Sequence, residues 1–260
     1  MRTRTLLLAG SLAVLAAGSA SAQSETAPAE QYAFRVEYLY WSPQPAGELQ
    51  KGVSDTAGTL VDVREDLGYE SHAASPIRAA LRVGRSVKLR GSWSPIDFRG
   101  AATAGSLLVY GTTVVFPEQQ VASSLKGNYA TAEVAWDFLQ RPRGFLGLLA
   151  GVKYFDVDTL VLNVDTGDRV VETERLPVPV LGLASRVYVS RRLSLEGEIS
   201  GLTLGDRGHV FELLLAARVH VSDHLAATGG YRRLALEGRD GRDYLRVDLG
   251  AWTFGAEISL

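Results

Sequence analysis

The chain contains four histidines and no cysteine. A thiol nucleophile and a thiolate metal site are therefore excluded. His209 follows Asp206 and Arg207 closely, and an imidazole acting as a base needs an orienting acid such as that aspartate. A solvated polar loop explains the same three residues more simply, and no nucleophile motif surrounds Ser94 or Ser106. His220 and His224 are separated by a turn rather than stacked along one helix face, so their spacing does not make a metal pair. His72 stands in a long polar stretch, and there is no glycine-rich phosphate loop. The expectation is no catalytic residue, no metal and no cofactor.

The chemistry that remains is a set of charges at alternate positions of apolar segments. They are Arg35, Glu37, Arg78, Arg82, Lys88, Arg90, Glu133, Asp137, Lys153, Arg186, Glu196, Glu198, Glu212, Arg218, Arg232 and Arg246, ten basic and six acidic. A period of two puts such charges on one face of a strand and leaves the other face apolar. If the strands close into a narrow barrel, the charged faces meet inside it. Two readings then stand: the charges neutralise one another across a lumen little wider than side chains can fill, or Arg and Lys ring a narrow polar pore that favours anions.

The elements that would position these charges are segments of about ten alternating residues, the signature of membrane-spanning strands. In the first, Tyr32 to Trp41, Tyr32, Phe34, Val36, Tyr38 and Tyr40 share the face opposite Arg35 and Glu37. Ile77 to Val83, Val87 to Trp93, Tyr129 to Phe138, Leu146 to Tyr154, Leu181 to Val189, Leu193 to Gly201, Phe211 to Val221, Leu225 to Leu236 and Tyr244 to Leu260 repeat the pattern. Pro95 is expected to end its strand because it cannot donate to a ladder. A bulge near Gly250 is expected to reset the last one.

Connections alternate in length. Tight turns fall near 84, 140, 190 and 222, and long polar excursions at 42–75, 100–123 and 156–179, with hairpins expected about Gly111 and about Asp165 to Asp168. With both termini on one side, every tight turn is periplasmic and every long loop extracellular, as an outer-membrane barrel requires. The fold class is all-β: an antiparallel up-and-down transmembrane β-barrel of about ten strands, with eight or twelve as alternatives. Aromatic residues divide into an outer group (Tyr38, Tyr40, Trp41, Trp93, Tyr129, Tyr154, Phe211) and an inner group (Trp136, Phe138, Phe145, Tyr188), as two interfacial girdles would.

The N-terminus supplies an address. Arg2 and Arg4 precede an apolar run from Leu6 to Ala17, and Ala20-Ser21-Ala22 is a small-residue cleavage site, so residues 1–22 read as a secretory signal peptide. Residues 23–31 read as a periplasmic tether and 32–260 as the barrel. Removing the signal's two arginines leaves 25 basic against 29 acidic residues, and nothing suggests nucleic acid.

Two resemblances follow. The end of the chain, with Thr253, Gly255, Ile258 and Leu260, resembles the terminal sorting signal of bacterial outer-membrane β-barrels, although the closing residue is Leu rather than aromatic. The stretches Val36-Glu37-Tyr38-Leu39-Tyr40-Trp41-Ser42-Pro43, Asp66-Leu67-Gly68, Gly151-Val152-Lys153-Tyr154-Phe155-Asp156 and Gly230-Tyr231-Arg232 resemble a group of small, functionally uncharacterised outer-membrane β-barrel proteins of Gram-negative bacteria. The likeness implies an outer-membrane location and fold and brings no catalytic residues. It also implies contact with outer-membrane lipid and lipopolysaccharide, and with periplasmic chaperones and the barrel assembly machinery during biogenesis. The role expected is structural or narrow, porin-like passage of small solutes; the alternatives are an enzyme acting on lipid or peptide at the extracellular rim, or a loop-based adhesin.

Overall fold

The computed structural model describes residues 32–52, 57–203, 205 and 208–260. The expected signal peptide and tether, and Asp206 and Arg207 beside His209, lie outside the described residues. The strands are β1 (Phe34–Trp41), β2 (Gln44–Gln50), β3 (Val61–Asp62), β4 (Ile77–Arg82), β5 (Val87–Thr103), β6 (Leu108–Tyr110), β7 (Thr113–Val115), β8 (Gln120–Arg141), β9 (Gly144–Asn163), β10 (Arg169–Ser190), β11 (Leu193–Thr203), β12 (Gly208–His220), β13 (Leu225–Asp240) and β14 (Asp243–Ser259).

Ten of them form the wall, in the order β1, β4, β5, β8, β9, β10, β11, β12, β13, β14, and β14 pairs back to β1 to close it. Closure removes the sheet edges, whose unpaired backbone groups lipid cannot satisfy. β1 and β2 are one line of wall: Trp41 faces Thr253 and Gln44 faces Gly250, a single register carried across Ser42 and Pro43.

The outer surface explains the alternation. Leu81, Leu89, Trp93, Val134, Trp136, Leu148, Leu183, Leu195, Leu215, Trp252 and Phe254 are all exposed, a band of large apolar side chains with no aqueous rationale. Such a band faces hydrocarbon. Above it the same outward positions turn polar: Asp97 pairs with Arg99, Asp156 with Arg175 and Asp248 with Arg233.

Several expectations are corrected. β5 continues through Pro95 to Thr103, because Trp93 is its last residue paired to β4 and Pro95 therefore has no ladder on that side to interrupt. No bulge occurs at Gly250; β13 and β14 stay in one register from Leu225↔Ile258 to Asp240↔Asp243. Tyr32 is buried, with the Arg35 and Arg82 guanidiniums 4.7 and 5.2 Å from its ring centre. Trp41, Tyr129 and Tyr188 are likewise buried instead of girdling the barrel, since each holds an inward position of its strand.

The long excursions fold back inside. β4 is short, and above it residues 57–74 complete the wall between β2 and β5: β3 pairs with β2, Ala74 with Trp41 and Tyr69 with Gly100. There the backbones nearly touch, since a Cβ on Gly100 would lie 2.2 Å from the Leu67 carbonyl oxygen and one on Gly68 (φ +67°) 2.3 Å from that of Ala101. The β6–β7 hairpin drops in beside it. Asn163 Nδ2 donates to the Val114 carbonyl at 3.0 Å, and the Val109 N–H donates to Thr59 Oγ1 at 3.0 Å.

Candidate functional site

The interior has two tiers. The extracellular half is an apolar plug: Val61, Val63, Leu67 and Tyr69 of the first excursion and Leu108, Tyr110 and Val115 of the hairpin pack against inward wall residues including Trp41, Phe98, Val121, Phe155, Val178, Val210, Leu234 and Leu249. Fully burying each Val, Leu or Phe contributes about 1.5–3 kcal/mol. The plug is held by the force that builds a soluble core.

Beneath it lies a charge network assembled from strands far apart in sequence. Glu212 of β12 accepts hydrogen bonds from Lys153 of β9 and Tyr129 of β8, and from Arg232 Nε of β13 at 2.9 Å. Arg232 also donates to Ser94 Oγ at 3.3 Å, and its guanidinium carbon lies 4.8 Å from the Trp41 ring centre. This places the upper edge of the network directly against the apolar plug.

Lower down, Arg218 reaches Glu37, Glu196 (2.8 Å) and Glu257 (2.8 Å), and donates to Thr228 Oγ1 at 2.9 Å. Arg186 bridges Glu196 to Glu257. Arg35 stands 3.7 Å from Glu257. Arg78 joins Glu37 at 3.0 Å to Glu198 at 2.6 Å, and Arg90 shares Glu198 at 2.6 Å. Arg186 and Arg218 are only 1% and 0% exposed, so their charges depend on these carboxylates and not on water.

The remaining predicted positions divide. Lys88 pairs with Asp137 at 2.8 Å and lies 3.5 Å from the Phe145 ring centre. Arg82, at the periplasmic mouth, donates to the Arg85 carbonyl at 3.0 Å. Glu133, opposite Arg90 in register, is buried and lines a cavity of about 30 Å³ with Arg90, Lys153, Glu198 and Glu212. That space admits a few waters at most.

Arg246 is a correction. The unbroken β13–β14 register turns it outward, exposed above the apolar band and paired across the ladder with Glu48 and Glu237. The same register brings Glu257 inward, a residue absent from the predicted charge set although its parity with Thr253 marked it. Substituting Glu257 for Arg246 leaves nine bases and seven acids. The predicted excess of positive charge is halved, and most of the remaining groups meet a partner of opposite sign.

The histidines stand apart from this network. His209 Nδ1 is 3.9 Å from Glu237 at the extracellular end of the wall, His220 Nε2 is 2.9 Å from Ser194 Oγ, and His224 Nδ1 is 2.9 Å from the Ser259 carbonyl oxygen. Thr253 Oγ1 donates to the Tyr40 carbonyl at 3.0 Å, and Gly255 meets the Tyr38 carbonyl so closely that a Cβ would come within 2.1 Å. Ile258 and Leu260 face outward. The last strand is thus the seam that closes the barrel.

A closed ten-stranded antiparallel wall with an apolar outer band and a polar network inside is an integral β-barrel of the outer membrane. The fold is similar to that of the outer membrane protease OmpT from Escherichia coli, with a TM-score of 0.53 and 10% identity over 87% of this chain and 96% of that one. The translocator domain of the autotransporter NalP from Neisseria meningitidis also matches, with a TM-score of 0.47 and 13% identity over 88% of each chain. At 10% identity the likeness to OmpT is one of fold. No protein-family model matches the chain, and no curated protein matches it.

Proposed function

We propose that the protein is a closed, non-catalytic outer-membrane barrel whose role is structural, its interior stiffening a wall that carries long strands above the lipid. The observation that carries this reading is the stack of side chains across the interior, from the Lys88–Asp137 pair through the Arg218 network to the apolar plug, the network lining a cavity of about 30 Å³ among the described residues. A solute on this route would have to displace buried ion pairs and the plug together. Both are costly to open.

Non-catalysis rests on the rim, where the nearest acid to the His209 imidazole among the described residues is 3.9 Å away and half-exposed. The wall's partners are the acyl chains and headgroups of the membrane, lipopolysaccharide among them. In biogenesis, periplasmic chaperones deliver the chain and the assembly machinery reads Thr253, Gly255, Ile258 and Leu260 on the closing strand.

Single-channel recording of the refolded protein in a planar bilayer tests the reading. Silence from a barrel shown to be folded by its heat-modifiable mobility is the expected result. Stable conductance steps would overturn it in favour of passage, and hydrolysis of lipid or peptide lost in His209→Ala would overturn it in favour of an enzyme.

A further inference from the structure

The β13–β14 tip carries two guanidiniums that no carboxylate among the described residues pairs with. Arg239, on the outer face of β13, lies with its guanidinium carbon 5.4 Å from the Tyr244 ring centre. Arg242 occupies the turn that Gly241 makes at φ +57°. Neither forms a hydrogen bond or ion pair with any described residue, whereas the interior arginines Arg78, Arg90, Arg186, Arg218 and Arg232 each meet a carboxylate.

Both line an open groove of about 360 Å³ between this tip and the segment 57–60, with Leu60, Tyr244 and Gln50 along its walls. That volume lies in the range of small-molecule sites, roughly 300–1,000 Å³. Among the described residues the acid at the groove is Asp243, already engaged by Lys51 at 2.8 Å and by the Gly52 N–H at 2.9 Å, so the charge these residues leave facing the groove is positive. Leu60, 47% exposed, and the Tyr244 ring supply an apolar wall beside that charge.

Position narrows the occupant. Tyr244 is eight residues beyond Trp252, the outward aromatic of the apolar band on the same strand. With a rise of ~3.3 Å per residue and a tilt of ~40°, the groove stands about 20 Å above Trp252, on the extracellular side of the apolar band. At that height the surroundings are sugars and their charged substituents. Arginine forks match phosphate, sulfate and carboxylate oxygens, and an aromatic-aliphatic wall suits the apolar face of a pyranose ring.

We infer that this groove is a binding site for an anionic saccharide, its charged substituent held between Arg239 and Arg242 and its ring against Leu60 and Tyr244. The site is independent of the barrel interior and of whether the lumen conducts. Two sources carry this chemistry: the phosphorylated core sugars of lipopolysaccharide in the same leaflet, and a sulfated glycan on another surface.

The test titrates the refolded full-length mature protein in detergent, by calorimetry, with deacylated phosphorylated core oligosaccharide, a heparin octasaccharide and an uncharged dextran of equal length. Salt-sensitive binding of a charged saccharide, weakened at least about tenfold in the double variant Arg239→Ala/Arg242→Ala and less in Arg242→Lys, is expected. Binding of the core oligosaccharide assigns the site to its own leaflet, and binding of heparin alone assigns it to another surface. Failure to bind either charged probe, equal binding of dextran, or wild-type affinity in the folded double variant would overturn the inference. Arg242→Glu provides a second reading should the double variant not refold.

Discussion

Arg78 on β4 and Glu198 on β11 meet across the full diameter of the barrel, Nη2 2.6 Å from Oε2. Their strands stand five places apart around a ring of ten, as far apart as the closed wall permits. One pair of side chains thus spans the lumen, and the pair is shared: Arg90 reaches the same Glu198 oxygen at 2.6 Å, and Arg78 also holds Glu37. The interior behaves as a cross-braced strut.

Removing the shared acid should loosen that brace. Glu198→Gln takes from Arg90 its one carboxylate within 4.0 Å among the described residues, and breaking one partner of a buried pair costs about 3–5 kcal/mol. Urea unfolding in lipid vesicles, followed by tryptophan fluorescence, should show a loss of that order. A loss below about 1 kcal/mol would mean that cavity water solvates the orphaned guanidinium adequately.

One close backbone contact seats the first excursion against β5. Gly100→Val would drive a Cβ to 2.2 Å from the Leu67 carbonyl oxygen, and backbone on both sides leaves no flexible group to yield. The segment 57–74 should lift from the wall and become protease-sensitive while the folded mobility of the barrel persists. Gly105→Val, with no atom within 4 Å of its Cβ position, is the matched control. Equal protection in both variants would refute the contact's role.

The outer band makes a third prediction. Leu183→Arg places a charge on the lipid face and should cost ~2–4 kcal/mol if the position lies near the bilayer midplane. Arg246→Ala, on the same outer surface but above the band, should change stability by about 0.5 kcal/mol or less. Equilibrium refolding into vesicles measures both, and similar values would displace the proposed membrane boundary.

The extracellular mouth should respond to pH. Lys51 links Asp243 of β14 at 2.8 Å to Glu172 of β10 at 3.3 Å. Burial works to raise the Asp243 pKa, but the hydrogen bonds from Lys51 and the Gly52 N–H together hold it below its ordinary 3.8. The hydrogen bond to Asp243, opposed by burial and helped by Glu172, holds Lys51 above 10.5. The acid's contribution is present above 3.8 and lost as pH falls through its lowered value; the lysine's is present below 10.5 and lost as pH rises through its raised one. Protease protection of the β2–β14 end should therefore be flat between these limits and fall outside them, and Asp243→Asn should abolish the acid limb. An unchanged acid limb in that variant would sink the assignment.

The class of wall was legible in the order of residues alone. Alternation is a local property, so the apolar face of Ile77 to Val83, the inward Arg78 and Arg82, and the turns near 84, 140, 190 and 222 could be read from neighbours two residues apart. What fills the wall follows from packing between segments distant in the chain. Val61, Val63, Leu67 and Tyr69 occupy a stretch that reads as a polar loop, and nothing within it says that it folds inward, because its partners lie on β5, β8, β10 and β12. Which charge meets which was equally hidden: Arg218 and Glu37 are 181 residues apart, and their meeting follows from the closure of β14 on β1. Likewise Arg246 turns outward against expectation because register is set by the neighbouring strand over its whole length, whereas a bulge had been inferred from one glycine.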